Sequence, residues 1–305
     1  MISVLEAEIL RQPSVLERFL LEGLPRAPAG SLAVGAGDSY AAASAASYLS
    51  SMSWTALDPY ELSLNPALAR RRKVYFVSVS GMTASNLAAA KAVKGIAAER
   101  VAVTANPDGR LLDFTDSALF LPHTPSPRLP GTLAFSLSLL ALLKLTRRME
   151  PCDFSRVLSE ANSDHLRMLF SPAGVSHFIG NGPAYPLCLY ASLKTYEVLG
   201  GRAQHSQLEE FSHAALFSLK EHDAVNVVCA FDPSAMGPKL AASLSRKGFR
   251  TAAIQPRFTG DIEQAFYLTF LSQLAVARQA RLRGLKRPYF IGARKKLAVS
   301  DSMIY

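Results

Sequence analysis

A short strand, a hydroxyl-rich turn and a helix follow one another in the first third of the chain. The apolar run at 74–77 predicts the strand, and the Ala-rich stretch at 86–98 predicts the helix. The turn between them contains Ser78, Ser80 and Thr83. Such a turn presents free backbone N–H groups, hydroxyl donors and the positive end of a helix dipole to one point. It therefore predicts a phosphate-binding loop, with ordinary Ser/Thr helix capping as the alternative because the lysine of a Walker loop is absent.

The same alternation of strand and helix continues through the whole chain. Strands are predicted at 31–34, 74–77, 100–104, 117–121, 175–179, 224–230 and 251–254, with helices that include 39–49, 185–199 and 238–247. Glycine-bearing turns follow the first strand of each half, at 35–37 and 180–182. Strands and helices that alternate at this spacing are typical of parallel βαβ units.

The fold class that this pattern predicts is α/β. We expect two similar three-layer αβα domains, 1–150 and 151–305, each with a mainly parallel sheet flanked by helices. The region 261–305 is rich in helix formers and is predicted to be a helical C-terminal tail. In open parallel sheets, ligands bind at the carboxyl ends of the strands, where the glycine turns and the hydroxyl turn are predicted to lie.

Composition and charge narrow the class of function. The 305 residues carry a formal net charge of +9, but the basic clusters are not interleaved with aromatic residues, so a solvated basic face is favoured over a nucleic-acid site. Three widely separated cysteines, Cys152, Cys188 and Cys229, indicate neither a disulfide framework nor a zinc site. The most apolar segment, 133–145, is too short for a membrane span, and no secretory signal is visible. We expect a cytoplasmic protein with no nucleic-acid or membrane partner.

Two groups of charged residues in the second half could carry chemistry. Lys194 and Glu197 are three residues apart on a predicted helix and therefore share one face, although a surface ion pair would have the same spacing. The segment 204–213 contains two histidines, one of them His213, and two adjacent carboxylates. It has neither an HExxH nor an HxH pattern, so we predict no metal.

These motifs together resemble the tandem SIS (sugar isomerase) domain family over nearly the whole chain. The turn at 78–83 is similar to the family's phosphate loop, SxSGxT, although Val79 and Met82 stand where polar residues are usual. The segment 178–197 resembles the isomerase domain of glucosamine-6-phosphate synthase. The resemblance implies that Glu197 moves a proton between the first two sugar carbons. It also implies that His213, sixteen residues later, helps to open the sugar ring.

Within that family, the chain resembles most the archaeal bifunctional phosphoglucose/phosphomannose isomerases. The turn at 35–39 is similar to their GxGGS loop, with Asp38 in place of a glycine, and implies that Gly37 and Ser39 contact the substrate. The segment 127–130 resembles their PR..LP motif and implies that Arg128 stabilises an enediol intermediate.

The resemblance also implies roles for lysine residues in both halves of the site and for the hydroxyl turn. A lysine near the C-terminus, Lys295 or Lys296, would close over the site. Lys194 would anchor the sugar or orient Glu197, and Ser78, Ser80 and Thr83 would bind its phosphate.

The function implied is interconversion of glucose 6-phosphate, and of mannose 6-phosphate as a further substrate, with fructose 6-phosphate through a cis-enediol. It requires a phosphorylated hexose but no cofactor, and it implies a homodimer whose subunits share active sites. Two alternatives stay open. One is an amino-sugar phosphate isomerase or deaminase, and the other is a sugar-phosphate-binding protein without catalysis.

Overall fold

Two parallel sheets flanked by helices form the protein, and the computed structural model describes residues 1–124 and 129–305. The elements before residue 151 are α1 (Ile2–Leu10), α2 (Gln12–Leu21), β1 (Leu32–Val34), α3 (Asp38–Leu49), β2 (Thr55–Leu57), α4 (Pro59–Leu64), β3 (Lys73–Val77), α5 (Ala84–Ala92), β4 (Glu99–Thr104), β5 (Ser117–Phe120) and α6 (Leu133–Thr146). Those after it are α7 (Phe154–Asp164), β6 (Val175–Ile179), α8 (Ala184–Lys194), β7 (Arg202–Ser206), α9 (Leu208–His213), β8 (Ala224–Val228), α10 (Met236–Arg246), β9 (Thr251–Ile254), α11 (Asp261–Leu282), α12 (Tyr289–Gly292) and α13 (Arg294–Ile304). The predicted α/β class with a helical C-terminal tail is confirmed.

The strand order places one crevice in each sheet. The first sheet runs β2-β1-β3-β4-β5 and the second β7-β6-β8-β9, with every neighbouring pair parallel. The chain leaves β1 toward one side of the sheet and returns to β3 on the other side, and it does the same around β6 and β8. Strand order reverses at these points, so the turns that follow β1, β3, β6 and β8 border the two crevices.

Helices cover both faces of the central strands, which explains their continuous apolar sequences. All of β1 is buried, and so are Val74 to Val77 of β3 and the whole of β8. The helix α6 is buried along nearly its whole length. Among the described residues, no helix has the length and apolarity that crossing a membrane requires.

The chain divides into two compact units, and the ends of the chain are exchanged between them. The first unit contains 14–151 and 293–305, and the second contains 1–13 and 152–292. These limits differ from the division predicted at residue 150 because α1 packs on α11, whereas α13 contacts α5. Sequence proximity alone would assign each terminal helix to its nearer half.

Two strands at sheet edges were missed because their sequences lack an apolar run. The strand β7, Arg-Ala-Gln-His-Ser, has one buried residue, Ala203, and pairs with β6 alone. The strand β2 has no fully buried residue and pairs with β1 alone. An edge strand exposes one flank and does not require an apolar run, so β7 and β2 lack the signal by which the central strands and the edge strands β5 and β9 were predicted.

Helix limits also differ from the predictions in three places. The helix after the hydroxyl turn ends at Ala92, because the chain turns through Gly95 with a φ of +74°. Pro238 was predicted to be the first residue of its helix. That prediction was wrong, because α10 begins two residues earlier and Pro238 is its third residue. The helix predicted at 185–199 is α8 followed by a π-helical turn, Thr195–Leu199.

Candidate functional site

The hydroxyl turn connects β3 to α5 at the crevice of the first sheet. The hydroxyls of Ser78 and Thr83 lie 3.0 Å apart and share a hydrogen bond, and the Ser80 hydroxyl accepts from the backbone N–H of Met82. Thr83 is the N-cap residue of α5, yet its side chain makes no capping bond to the first N–H groups of that helix. Those N–H groups and the three hydroxyls therefore stand together where a phosphate could accept from them.

Residues of the neighbouring strand end brace this turn. The Asn106 side chain donates to the carbonyl of Ser80 at 2.8 Å, and the Thr104 hydroxyl donates to the carbonyl of Val79 at 3.2 Å. Neither residue was assigned a role from the sequence. Their signal was positional, since Thr104 ends β4 and Asn106 follows it, and the carboxyl end of β4 lies beside that of β3.

The turn passes against a second turn with no room for side chains. A Cβ atom built on Gly81 would lie 2.8 Å from the Cα of Gly109, and Gly81 has a φ of +63°. The N–H of Leu111 also donates to the carbonyl of Gly81 at 2.9 Å. This close approach of two backbones holds the turn in one shape.

The glycine turn after β1 borders the same crevice from the other side. Gly37 has a φ of +56° and is the N-cap residue of α3, and Ser39 is the second residue of that helix. Asp38 lies in the first turn of α3, where the helix dipole favours a carboxylate, and its side chain packs against the backbone of Gly131. Gly37 and Ser39 thus belong to the same sheet edge as the hydroxyl turn.

In the second unit, a fully buried lysine holds a partly open carboxylate. Lys194 ends α8, has no exposed side-chain surface and donates to the carboxylate of Glu197. Its ammonium also lies 5.2 Å from the ring centre of Tyr190. Glu197 stands on the π-helical turn, and 35% of its side chain is exposed. A buried charge requires a partner, so the lysine fixes the carboxylate of this partly exposed side chain.

Gly200 makes the position of that turn possible. It adopts a left-handed conformation with a φ of +61° directly after Leu199, and the ring of Tyr289 occupies the space where a Cβ atom would project. The aromatic ring therefore packs on the end of the segment that carries Glu197.

His213 points into solvent within its own unit. It is the last residue of α9, its side chain is 81% exposed, and its Nε2 atom lies 3.4 Å from the Glu209 carboxylate. No contact between His213 and Glu197 is found among the described residues of this unit.

Two aromatic rings in tilted contact, those of Tyr185 and His205, lie near the glycine turn of the second sheet and were not assigned a role from the sequence. The ring centres are 5.6 Å apart, and His205 lies one residue before the end of β7. Burial lowers the pKa of the His205 imidazole, an effect that the charge of Glu210 partly opposes. Asn181 of the turn accepts from the N–H of Leu208 at 2.8 Å.

The two remaining predicted residues have different outcomes. Arg128 lies outside the described residues. Lys295 is exposed on α13, and α13 belongs to the compact unit that contains the hydroxyl turn and contacts α5.

Comparison with known proteins identifies related folds. No family model and no curated sequence matches the chain. Glucosamine-6-phosphate deaminase from Thermotoga maritima superposes with a TM-score of 0.74 at 20% identity and covers 92% of this chain and 95% of its own. The C-terminal domain of glucosamine-fructose-6-phosphate aminotransferase from Francisella tularensis gives a TM-score of 0.78 at 16% identity, covering 93% and 97%. Tagatose-6-phosphate ketose/aldose isomerase from Escherichia coli gives 0.71 at 17% identity, covering 94% and 89%. What this chain shares with them is the fold.

The close approach at Gly81 generates a stability prediction. We expect Gly81→Ala to lower the free energy of unfolding by about 2–4 kcal/mol, because left-handed strain adds to a backbone collision. Gly95→Ala is the matched control, since Gly95 has a φ of +74° with nothing within 4 Å of its missing Cβ atom. It should cost about 1–2 kcal/mol from the backbone conformation alone. Equal losses in urea unfolding would contradict the proposed contact.

A second prediction concerns His205, whose ring contacts that of Tyr185. In an NMR pH titration, His205 should titrate below the ordinary histidine pKa of 6.5, because burial disfavours the imidazolium. Tyr185→Ala should raise that pKa toward 6.5 by opening the imidazole to water. Tyr60→Ala, which changes an exposed tyrosine in the other unit, should leave it unchanged.

Proposed function

We propose that this protein is a phosphosugar isomerase that interconverts an aldose phosphate and a ketose phosphate through a cis-enediol. The observation that carries the proposal is the partly exposed side chain of Glu197, whose carboxylate is held by a fully buried lysine. The folds of the matched isomerase, deaminase and aminotransferase domain support the same class of substrate. The substrate pair that we propose is glucose 6-phosphate and fructose 6-phosphate, with mannose 6-phosphate as a further aldose.

Glu197 would act as the general base. Its carboxylate would take the proton from C2 of the open-chain aldose and return it to C1, while the proton of the O2 hydroxyl passes to O1, leaving the ketose. The Lys194 ammonium forms an ion pair with that carboxylate. It also restricts the carboxylate to one orientation, which such a transfer between adjacent carbons requires.

The hydroxyl turn would hold the phosphate. Ser78, Ser80 and Thr83 would donate to its oxygens together with the N–H groups at the start of α5. Gly37 and Ser39, across the crevice after β1, would contact the sugar or the same phosphate. Arg128 would stabilise the negative charge of the enediolate, and Lys295 would close over the bound substrate.

His213 would exchange the ring-oxygen proton that opens the sugar. A histidine that points into solvent from its own unit suits a residue donated to a second copy of the chain. Phe217, four residues later, is also largely exposed, and burial of this segment against a partner would cover it. We therefore propose a homodimer with shared active sites.

An amino-sugar phosphate is the second candidate substrate. Asp38 places a carboxylate at the crevice edge where the resembling isomerases have glycine, and a carboxylate favours a positively charged substituent. Ammonia release from glucosamine 6-phosphate, without conversion of fructose 6-phosphate, would identify this alternative.

The deciding experiment is proton NMR with fructose 6-phosphate in D₂O. We expect an aldose phosphate with deuterium at C2, and we expect Glu197→Gln to lower the rate roughly 10²–10⁴-fold, the usual effect of one acid–base group. Glu221→Gln, an exposed change in the same unit, should keep the wild-type rate.

Two results would contradict the proposal. An undiminished rate for Glu197→Gln would remove that residue from the chemistry. A folded wild-type chain that binds the sugar phosphate without exchange or turnover would instead be a binding protein.

The shared-site arrangement predicts complementation. Glu197→Gln and His213→Ala homodimers should each be nearly inactive. In a mixed dimer, one site combines the intact glutamate of one chain with the intact histidine of the other. Random mixing should therefore restore about a quarter of the wild-type activity. Absence of any recovery, in mixtures shown to exchange subunits, would place both residues in one chain's site.

A further inference from the structure

A cavity on the second unit combines arginine side chains with an apolar wall, and the proposed function does not use it. Its volume is about 110 Å³, several times the space that one water molecule needs. It lies between the C-terminal part of α11, the segment 165–170 and Arg250. Arg250 directly precedes β9, so the cavity is at the amino edge of the second sheet, whereas the glycine turn at 180–182 is at the carboxyl edge.

The wall formed by 168–171 is held rigidly before any ligand binds. The fully buried side chain of Asn226 accepts from the N–H of Leu169 at 2.7 Å and donates to its carbonyl at 2.9 Å. The carbonyl of Phe170 accepts from Arg250 at 3.1 Å, and that of Ser171 accepts from Arg283 at 3.3 Å. A cavity with a preorganised wall loses little entropy when it binds a ligand.

The charge of this cavity is positive and uncompensated. Arg250 and Arg278 both line it, no lining residue is acidic, and neither arginine has an ion-pair partner among the described residues. Asp164, just outside, is already bound by Arg167 at 3.0 Å and by the Tyr267 hydroxyl at 2.9 Å. The C-terminal end of α11 contributes only about half a negative charge, which two full guanidinium charges outweigh.

The geometry favours a phosphate over a carboxylate. One guanidinium satisfies both oxygens of a carboxylate, whereas the terminal oxygens of a phosphate can accept from two guanidinium groups at once. Arg250 lies in the turn before β9 and Arg278 lies on α11, so two segments of the chain each contribute a guanidinium group to the cavity. Gln279 adds a neutral amide donor to the same wall.

The apolar part of the cavity indicates what the phosphate is attached to. Leu166 and Leu282 line it and are 67% and 62% exposed, which leaves two large apolar side chains in water beside the arginines. An apolar substituent on the phosphate would cover them and gain the free energy of that burial. Inorganic phosphate would leave them exposed.

We propose that this cavity, which we call the arginine pocket, binds a phosphate monoester with an apolar substituent, as a second ligand site separate from the hydroxyl turn. Arg250 and Arg278 bind the phosphoryl group, and Leu166 and Leu282 contact the substituent. The site is distinct from the proposed isomerase site, because none of the described residues assigned to that chemistry lines the cavity.

The test is calorimetric titration of phenyl phosphate into the full chain carrying Ser78→Ala and Ser80→Ala, so that the hydroxyl turn does not compete. We expect saturable binding of one ligand per chain. Adding Arg250→Gln and Arg278→Gln should weaken it about tenfold or more, as expected for charged hydrogen bonds. Arg246→Gln with Lys247→Gln is the matched control, because it removes two charges from the same unit outside the pocket and should leave the affinity within about twofold.

Three results would overturn the proposal. The first is that phenyl phosphate shows no saturable binding, and the second is that its affinity is unchanged when both arginines are replaced. The third is an equal loss of affinity in the control variant, because that result would indicate attraction by net charge alone. Inorganic phosphate should bind more weakly than phenyl phosphate, and equal affinities would overturn the role of the two leucines. If the double variant unfolds, Arg278→Gln alone decides, because that arginine is exposed and supports no described contact.

Discussion

Parallel pairing of a central strand with a neighbour on each side is the constraint on which both sheets depend. It occurs at β1, which pairs with β2 and β3, and at β6, which pairs with β7 and β8. Parallel strands need a crossover connection, so every strand sends its chain out at the same edge. The turns with special chemistry therefore collect at the carboxyl edges without any sequence proximity between them.

In the second unit, the free-energy cost of burying a charge determines the local structure around Glu197. Lys194 lies under Tyr190 and out of water, and its ammonium must be compensated. The chain supplies Glu197 by widening the helix into a π-helical turn, and Gly200 then lets Tyr289 pack on the end of that turn. Stability and the proposed chemistry thus depend on the same ion pair, so changes at Lys194 should affect both.

The two edges of the second sheet have different characters. At the carboxyl edge, Asn181 of the glycine turn binds the N–H of Leu208, and the rings of Tyr185 and His205 are in contact. At the amino edge, Arg250, which precedes β9, and Arg278 of α11 line one cavity. The cavity with the two arginines and the glycine turn therefore lie at opposite edges of the same sheet.

The sequence by itself determined the α/β class, the central strands and the hydroxyl turn, because buried strands and strand-to-helix turns leave local patterns. It also placed Lys194 and Glu197 on one helical face. Only the tertiary structure decided the edge strand β7, the exchange of the chain ends between the units and the role of Asn106 in bracing Ser80. The arginine pocket belongs to the same group, since Arg250 and Arg278 are far apart in the sequence. These features depend on contacts between distant segments, and no local pattern of residues records which segments meet.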